Sequence, residues 1–227
     1  MKTLLSFAFV LLNATIIFGQ DCNGYFAQKK GTKIEIQSYD KKDKPSSTLK
    51  YEVLDNSPIS GGISMTLKNE MIDNKGRQVS SMTLSTNCVN GNFSADVTSV
   101  DGNLMPKNAD VQVSVTGDKL MYPSTLSAGQ KLKDVLATVK TSMGGMTLMT
   151  TNINITNRQV ESIEMVETPA GKFECAKISY TFSVKFMGNR ISKTTEYLAK
   201  GVGLVKSESY DDSGKKQSSS ILTKYEK

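Results

Sequence analysis

Residues Thr168 to Tyr210 read TPAGKFECAKISYTFSVKFMGNRISKTTEYLAKGVGLVKSESY. From Ala176 every second residue (Ala176, Ile178, Tyr180, Phe182, Val184, Phe186) is apolar or aromatic, with Lys177, Ser179, Thr181, Ser183 and Lys185 between them. That period of two is the mark of a strand with one face on a core and one in water. Gly188-Asn189 and Gly201-Val202-Gly203 break the pattern where a chain must reverse, and Pro169-Ala170-Gly171 opens the unit with the same turn chemistry. The stretch therefore predicts three consecutive antiparallel strands.

The signature repeats in both directions. Ile34–Ser38 and Thr48–Leu54 flank a turn containing Asp43 and Pro45, and Asp73-Asn74-Lys75-Gly76 joins a strand bearing Met65 and Leu67 to one bearing Met82 and Leu84. Asn90-Gly91 leads to Phe93, and a further strand carries Val111, Val113 and Val115. Later segments span Leu132–Lys140, Met146–Thr156 and Val160–Glu167, with turns expected at Gly144-Gly145 and Asn157-Arg158. Val100–Asp110 and Tyr122–Gln130 are irregular, and the chain ends on Ser218–Tyr225 after the turn Asp211-Asp212-Ser213-Gly214. The fold class is all-β: a strongly curved antiparallel meander of about a dozen short strands, an open barrel, clam or sandwich, with at most short helical turns.

The N-terminus reads as a secretory signal peptide, residues 1–20. Lys2 supplies the positive start, Leu4–Phe18 is apolar but short for a membrane span, and Gly19-Gln20 follows. Residues 21–227 then form a single domain, because no Pro-rich, Gly-rich or charged linker divides them. Gly19-Gln20-Asp21 lacks the leucine and small residues that precede a lipidated cysteine, so a lipid on Cys22 is not expected. The product is placed in the periplasm, at the outer membrane or outside the cell. An outer-membrane barrel fits poorly: the chain has no Trp, aromatics make up 7% of it, and its strand faces are rich in Lys and Glu.

Composition closes several chemistries. With no histidine, the usual general base, the common zinc ligand and every Ser-His or Cys-His dyad are absent. Asp211-Asp212 does not continue into the alternating oxygen ligands of a calcium loop, and the Gly clusters precede no helix that could cradle phosphate. Neither metal nor cofactor is expected, and no catalytic residue can be named. The net charge of +6 comes from lysines scattered among acidic residues, not from a basic face with stacking aromatics, so nucleic acid is not an expected partner. The three cysteines, Cys22, Cys88 and Cys175, imply one disulfide and one thiol in an oxidising compartment. Cys22 before the first strand and Cys88 at a hairpin are the expected pair, leaving Cys175 to pack as a small apolar residue.

Eleven methionines, among them Met65, Met82 and Met149, fall in or beside strands. With Tyr180, Phe182, Val184 and Phe186 they could line an apolar concavity for a lipid or another apolar ligand. Simple core filling accounts for them equally well. Two functional readings follow: a non-catalytic exported binding protein, or an envelope interaction module with a filled core that meets a protein partner through a strand edge or through Val100–Asp110.

Four segments carry a resemblance: Asp21-Cys22-Asn23-Gly24-Tyr25-Phe26 with Gly31-Thr32; Tyr122-Pro123-Ser124 to Gly129-Gln130; Thr168–Cys175; and Ala199–Ser207. Together they resemble the TapB-like family of exported proteins from Bacteroidetes-type bacteria, a domain of unknown function, with Ala27 standing where such proteins often carry Pro. The resemblance implies an architecture akin to the curved sheets of periplasmic lipoprotein carriers and implies no catalytic residues.

Overall fold

The computed structural model describes residues 22–96, 111–185 and 188–227; the expected signal peptide, the whole Val100–Asp110 loop and Phe186 lie outside them. The strands are β1 (Lys33–Asp40), β2 (Pro45–Ile59), β3 (Gly62–Asp73), β4 (Gln78–Val89), β5 (Asn92–Asp96), β6 (Val111–Gly117), β7 (Met121–Pro123), β8 (Val135–Met143), β9 (Met146–Thr168), β10 (Gly171–Lys185), β11 (Asn189–Ala199), β12 (Gly203–Asp211) and β13 (Lys216–Glu226). All belong to one antiparallel sheet in the order β6-β8-β9-β10-β11-β12-β13-β1-β2-β3-β4-β5-β7. The three strands of the opening stretch are β10, β11 and β12, paired as expected.

The sheet is two meanders sewn together. β8 to β13 follow one another, as do β1 to β5, and the ladder between β1 and β13 joins them. At that seam Ile34 lies opposite Tyr225 and Ile36 opposite Leu222, with Thr223 as an extra residue whose hydroxyl donates to Glu35 O at 3.1 Å. Ile34 and Leu222 are fully buried, each removing a side chain from water at a gain of roughly 1.5–3 kcal/mol.

Curvature follows from connectivity. β6 and β7 are the two ends of the sheet, yet only Asp118–Leu120 separates Gly117 from Met121. Four extended steps reach about 14 Å at most, so the edges must be curled close to each other. They do not pair, and the sheet is not a closed barrel. The segment after β7 runs back over the gap: Ser124 N donates to Gly91 O at 2.7 Å beside β5, while Gly129 N donates to Val160 O at 2.7 Å and Leu132 N to Arg158 O at 2.9 Å on β9.

Three expectations are corrected. The strands are not uniformly short: β2 and β10 have 15 residues each and β9 has 23. β9 is long because Asn157-Arg158 does not reverse the chain. Asn157 takes a positive φ of 56° and, with Arg158, bulges opposite Tyr180, so the strand bends and continues. A second bulge, at Glu161, follows where Lys177 and Ile178 face Ser162 and Val160. Leu132 likewise precedes its strand, since β8 starts at Val135.

The tip of the β9–β10 hairpin packs back over the seam, with Phe173 edge-on to Tyr225 at 6.1 Å between centroids. Thr168 fixes that tip: its hydroxyl accepts from Ala170 N at 3.2 Å and donates to Gly171 O at 3.1 Å. Behind it Cys175 is fully buried with Val166, Val205 and Leu222. Loss of solvation, reinforced by the Glu164 and Glu174 carboxylates, pushes its thiol up to about 12.

Cys22 and Cys88 form a disulfide with Cα atoms 5.8 Å apart, tying the segment before β1 to β4. Met65 and Phe93 are fully buried around it.

Two outcomes test these assignments. Replacing Cys22 and Cys88 by Ser should lower stability by about 2–4 kcal/mol, read as the denaturation free energy of the oxidised protein against the double variant. For Cys175, the native thiol pKa lies above its unfolded value, so its contribution is complete below about pH 9 and is lost as pH rises toward about 12. The stability difference between the wild type and Cys175→Ala should therefore be constant below pH 9 and fall across that alkaline window.

Candidate functional site

The inner face of a curled sheet needs a cover, and the N-terminal segment supplies one. Gly24 O accepts from Gly201 N at 2.9 Å, and Gln28 O accepts from Asn56 Nδ2 at 2.8 Å. The Phe26 ring packs against Phe93 at 4.9 Å and Tyr122 at 6.2 Å. Position 24 admits only glycine, because a Cβ there would lie 2.5 Å from the Phe93 ring.

Between this cover and the sheet lies a cavity of about 290 Å³. Its aliphatic wall comes from both meanders: Ile36, Leu49, Leu67 and Leu84 from one, Leu198 and Leu204 from the other. The volume is near the lower end of the roughly 300–1,000 Å³ typical of small-molecule sites. Tyr51, also on the wall, donates its hydroxyl to Val202 O at 2.7 Å, and burial raises its pKa.

Polar groups mark one side. Glu196 on β11 lies between Ile178 and Ser207 in the register and lines the cavity. Its carboxylate accepts from Tyr180 Oη at 2.7 Å and from Tyr122 Oη at 3.1 Å. Desolvation, followed by the Glu196 charge, raises both tyrosine pKa values, so both hydroxyls stay protonated as donors. Beyond Tyr122, the Arg158 guanidinium sits 4.9 Å from the ring centroid. Only 2% exposed, Arg158 donates from Nη1 to Lys133 O at 2.6 Å and from Nη2 to Met121 O at 3.2 Å, while its Nε has no partner. On the other side Asn69 lines the cavity with a buried, unpartnered Nδ2.

The residues expected to line a concavity are dispersed. Met65 is sealed in the core beside the disulfide. Met82 lies opposite Asn69, two residue pairs beyond the Leu67–Leu84 pair of the cavity wall, and Met149 is half-buried near the β8–β9 turn. Tyr180 reaches the site through Glu196, whereas Phe182 and Val184 line a separate, open groove with Arg190, Asp211 and Asp212. Among the described residues the methionines do not line the interior as a set: Met146 is 70% exposed and Met165 64%. Sequence reasoning missed Arg158, Glu196 and Asn69. One signal was available, since Arg158 is one of three arginines in a chain that otherwise uses lysine.

Among the described residues no cluster of His, Cys, Asp and Glu could hold a metal ion, and no helix is long and apolar enough to cross a membrane.

The sequence model of the DUF3108-like family matches residues 29–222, from the end of the cover segment to the middle of β13. The chain belongs to the DUF3108-like family. A solved relative from Bacteroides fragilis, described as an exported protein with a YmcC-like fold, superposes with a TM-score of 0.73 at 25% identity over 91% of this chain and all of that one. A second, from Parabacteroides distasonis and described as a lipoprotein, gives 0.74 at 23% identity with the same coverage and shares the fold. No curated protein matches. In this DUF3108-like chain the Cys22 sulfur is bonded to Cys88.

The Arg158 contacts set a test. Arg158→Met keeps the apolar stem but removes the donors to the carbonyls of Lys133 and Met121, which should cost roughly 2–4 kcal/mol. Denaturation should show that loss, with faster amide exchange over 118–134, and Arg158→Lys should restore only part of it.

Proposed function

We propose that this protein is an exported, non-catalytic binding protein of the bacterial envelope that holds a small apolar ligand between its N-terminal cover and the inner face of its sheet. The cavity walled by leucines from both meanders carries this reading. Filling so small a space with larger side chains would require little change, yet the site is left open and fitted with polar groups at its margin. Export is supported by the apolar leader in the sequence, by the disulfide, and by relatives described as an exported protein and a lipoprotein. The resemblances to TapB-like proteins and to lipoprotein carriers point the same way as analogies of architecture.

A second reading, an envelope interaction module, draws on a different surface. Met143, Met146 and Leu148 are exposed together at the β8–β9 turn, beside the edge strand β6, which pairs with β8 on one side only.

The deciding experiment is native mass spectrometry of protein purified gently from its own envelope, together with titration of an apolar fluorescent dye. The binding reading expects a discrete added mass extractable into organic solvent, or dye binding that saturates at one site. Leu67→Trp, which fills the cavity, should abolish either one while leaving the circular dichroism unchanged. An apo mass with no dye binding, and crosslinks from the β8–β9 turn to another envelope protein, would transfer the conclusion to the second reading.

A further inference from the structure

The cavity is apolar, yet one charged group faces it. Glu196 is half-buried, and no ion pair engages it among the described residues. Its two oxygens each accept one tyrosine hydroxyl, which orients the carboxylate and leaves each oxygen a further lone pair. The nearby guanidinium forms no ion pair with it: its Nη atoms donate to the carbonyls of Lys133 and Met121, it lies 4.9 Å from the Tyr122 ring centroid, and its charge acts on the Tyr122 and Tyr180 hydroxyls. A carboxylate in partly desolvated surroundings is stabilised most by a cationic donor placed against it. It disfavours an anionic head group in the same place.

We propose that the ligand is a single-chain apolar molecule carrying a cationic nitrogen, an aliphatic amine in the simplest case, with the nitrogen at Glu196 and the chain among Leu67, Leu84 and Leu204. This rests on the cavity being a binding site and adds the class of its occupant. The size agrees, since about 290 Å³ suits one chain and not a two-chain phospholipid. Fatty acids and phosphate-headed lipids are the classes the site should reject.

The test compares chain-matched probes. Dodecylamine, dodecanol and dodecanoate compete at neutral pH, below their micellar concentrations, against an uncharged apolar dye bound to the full mature protein. Dodecylamine should displace the dye with an affinity at least tenfold better than dodecanol, and dodecanoate should be weakest. In Glu196→Gln the dye should still bind while the amine loses its advantage over the alcohol. The wild-type comparison stands even if that variant fails to fold. Equal displacement by all three probes, or preference for dodecanoate, would overturn the assignment to a cationic nitrogen while leaving the cavity as a binding site. No dye binding and no displacement would instead remove the binding reading itself, and this inference with it.

Discussion

The guanidinium of Arg158 holds the ends of the sheet together. It lies on β9, third from one end of the strand order, and donates to the carbonyl of Met121 on β7, the strand at the other end. A sheet of this length, curled but unclosed, has no ladder to fix the distance between its edges. A buried side chain with donors pointing two ways does that work, bonding Lys133 O on the return segment as well. The rest of the site is arranged around this contact. Tyr122 lies under the guanidinium, Glu196 accepts from Tyr122, and the cavity begins at Glu196.

The second constraint is the seam. Strands β1 and β13 are neighbours in the sheet although nearly the whole chain separates them, and the cavity wall draws on both sides of their ladder. Such a pairing is favourable only when both meanders have formed, because the entropy of closing so long a loop precedes any return from contacts. The disulfide and the β9–β10 hairpin address opposite sides of this problem. Cys22–Cys88 fastens the N-terminal cover to the first meander, while Phe173 from the second meander packs on Tyr225 at the seam.

Much of the fold was legible because a strand with one wet face writes itself in period two. β10 shows this from Ala176 to Val184, and the turns at Asp73–Gly76 and Asn90-Gly91 announce themselves through residues that tolerate tight backbone geometry. Asn157-Arg158 misled for the same reason. Asn in the left-handed region is needed by a bulge as much as by a turn, and only the partner strand decides which one forms. The methionines misled differently: alternation tells which residues share a face but not where along a strand that face stops being covered. Met65 and Met146 carry the same side chain, one sealed beside the disulfide and the other in water at a hairpin. Glu196 and Asn69 left no trace, since one polar residue on a mixed face looks like any solvated position until the opposite wall is known.

The polar group inside the curl has a cost that its position explains. Replacing buried charges by well-packed aliphatic side chains is often neutral or stabilising, so stability alone does not favour Arg158, Tyr122, Tyr180 and Glu196 over leucines. An aliphatic interior would, however, let the short β7 strand and its return segment slide across a greasy surface with little preference for one position. Hydrogen bonds of defined direction from Arg158 to two carbonyls, and from two tyrosines to one carboxylate, fix that position to a single arrangement. The same directionality leaves one carboxylate facing an apolar space. Closing the sheet edge and marking the cavity are thus two consequences of one set of side chains.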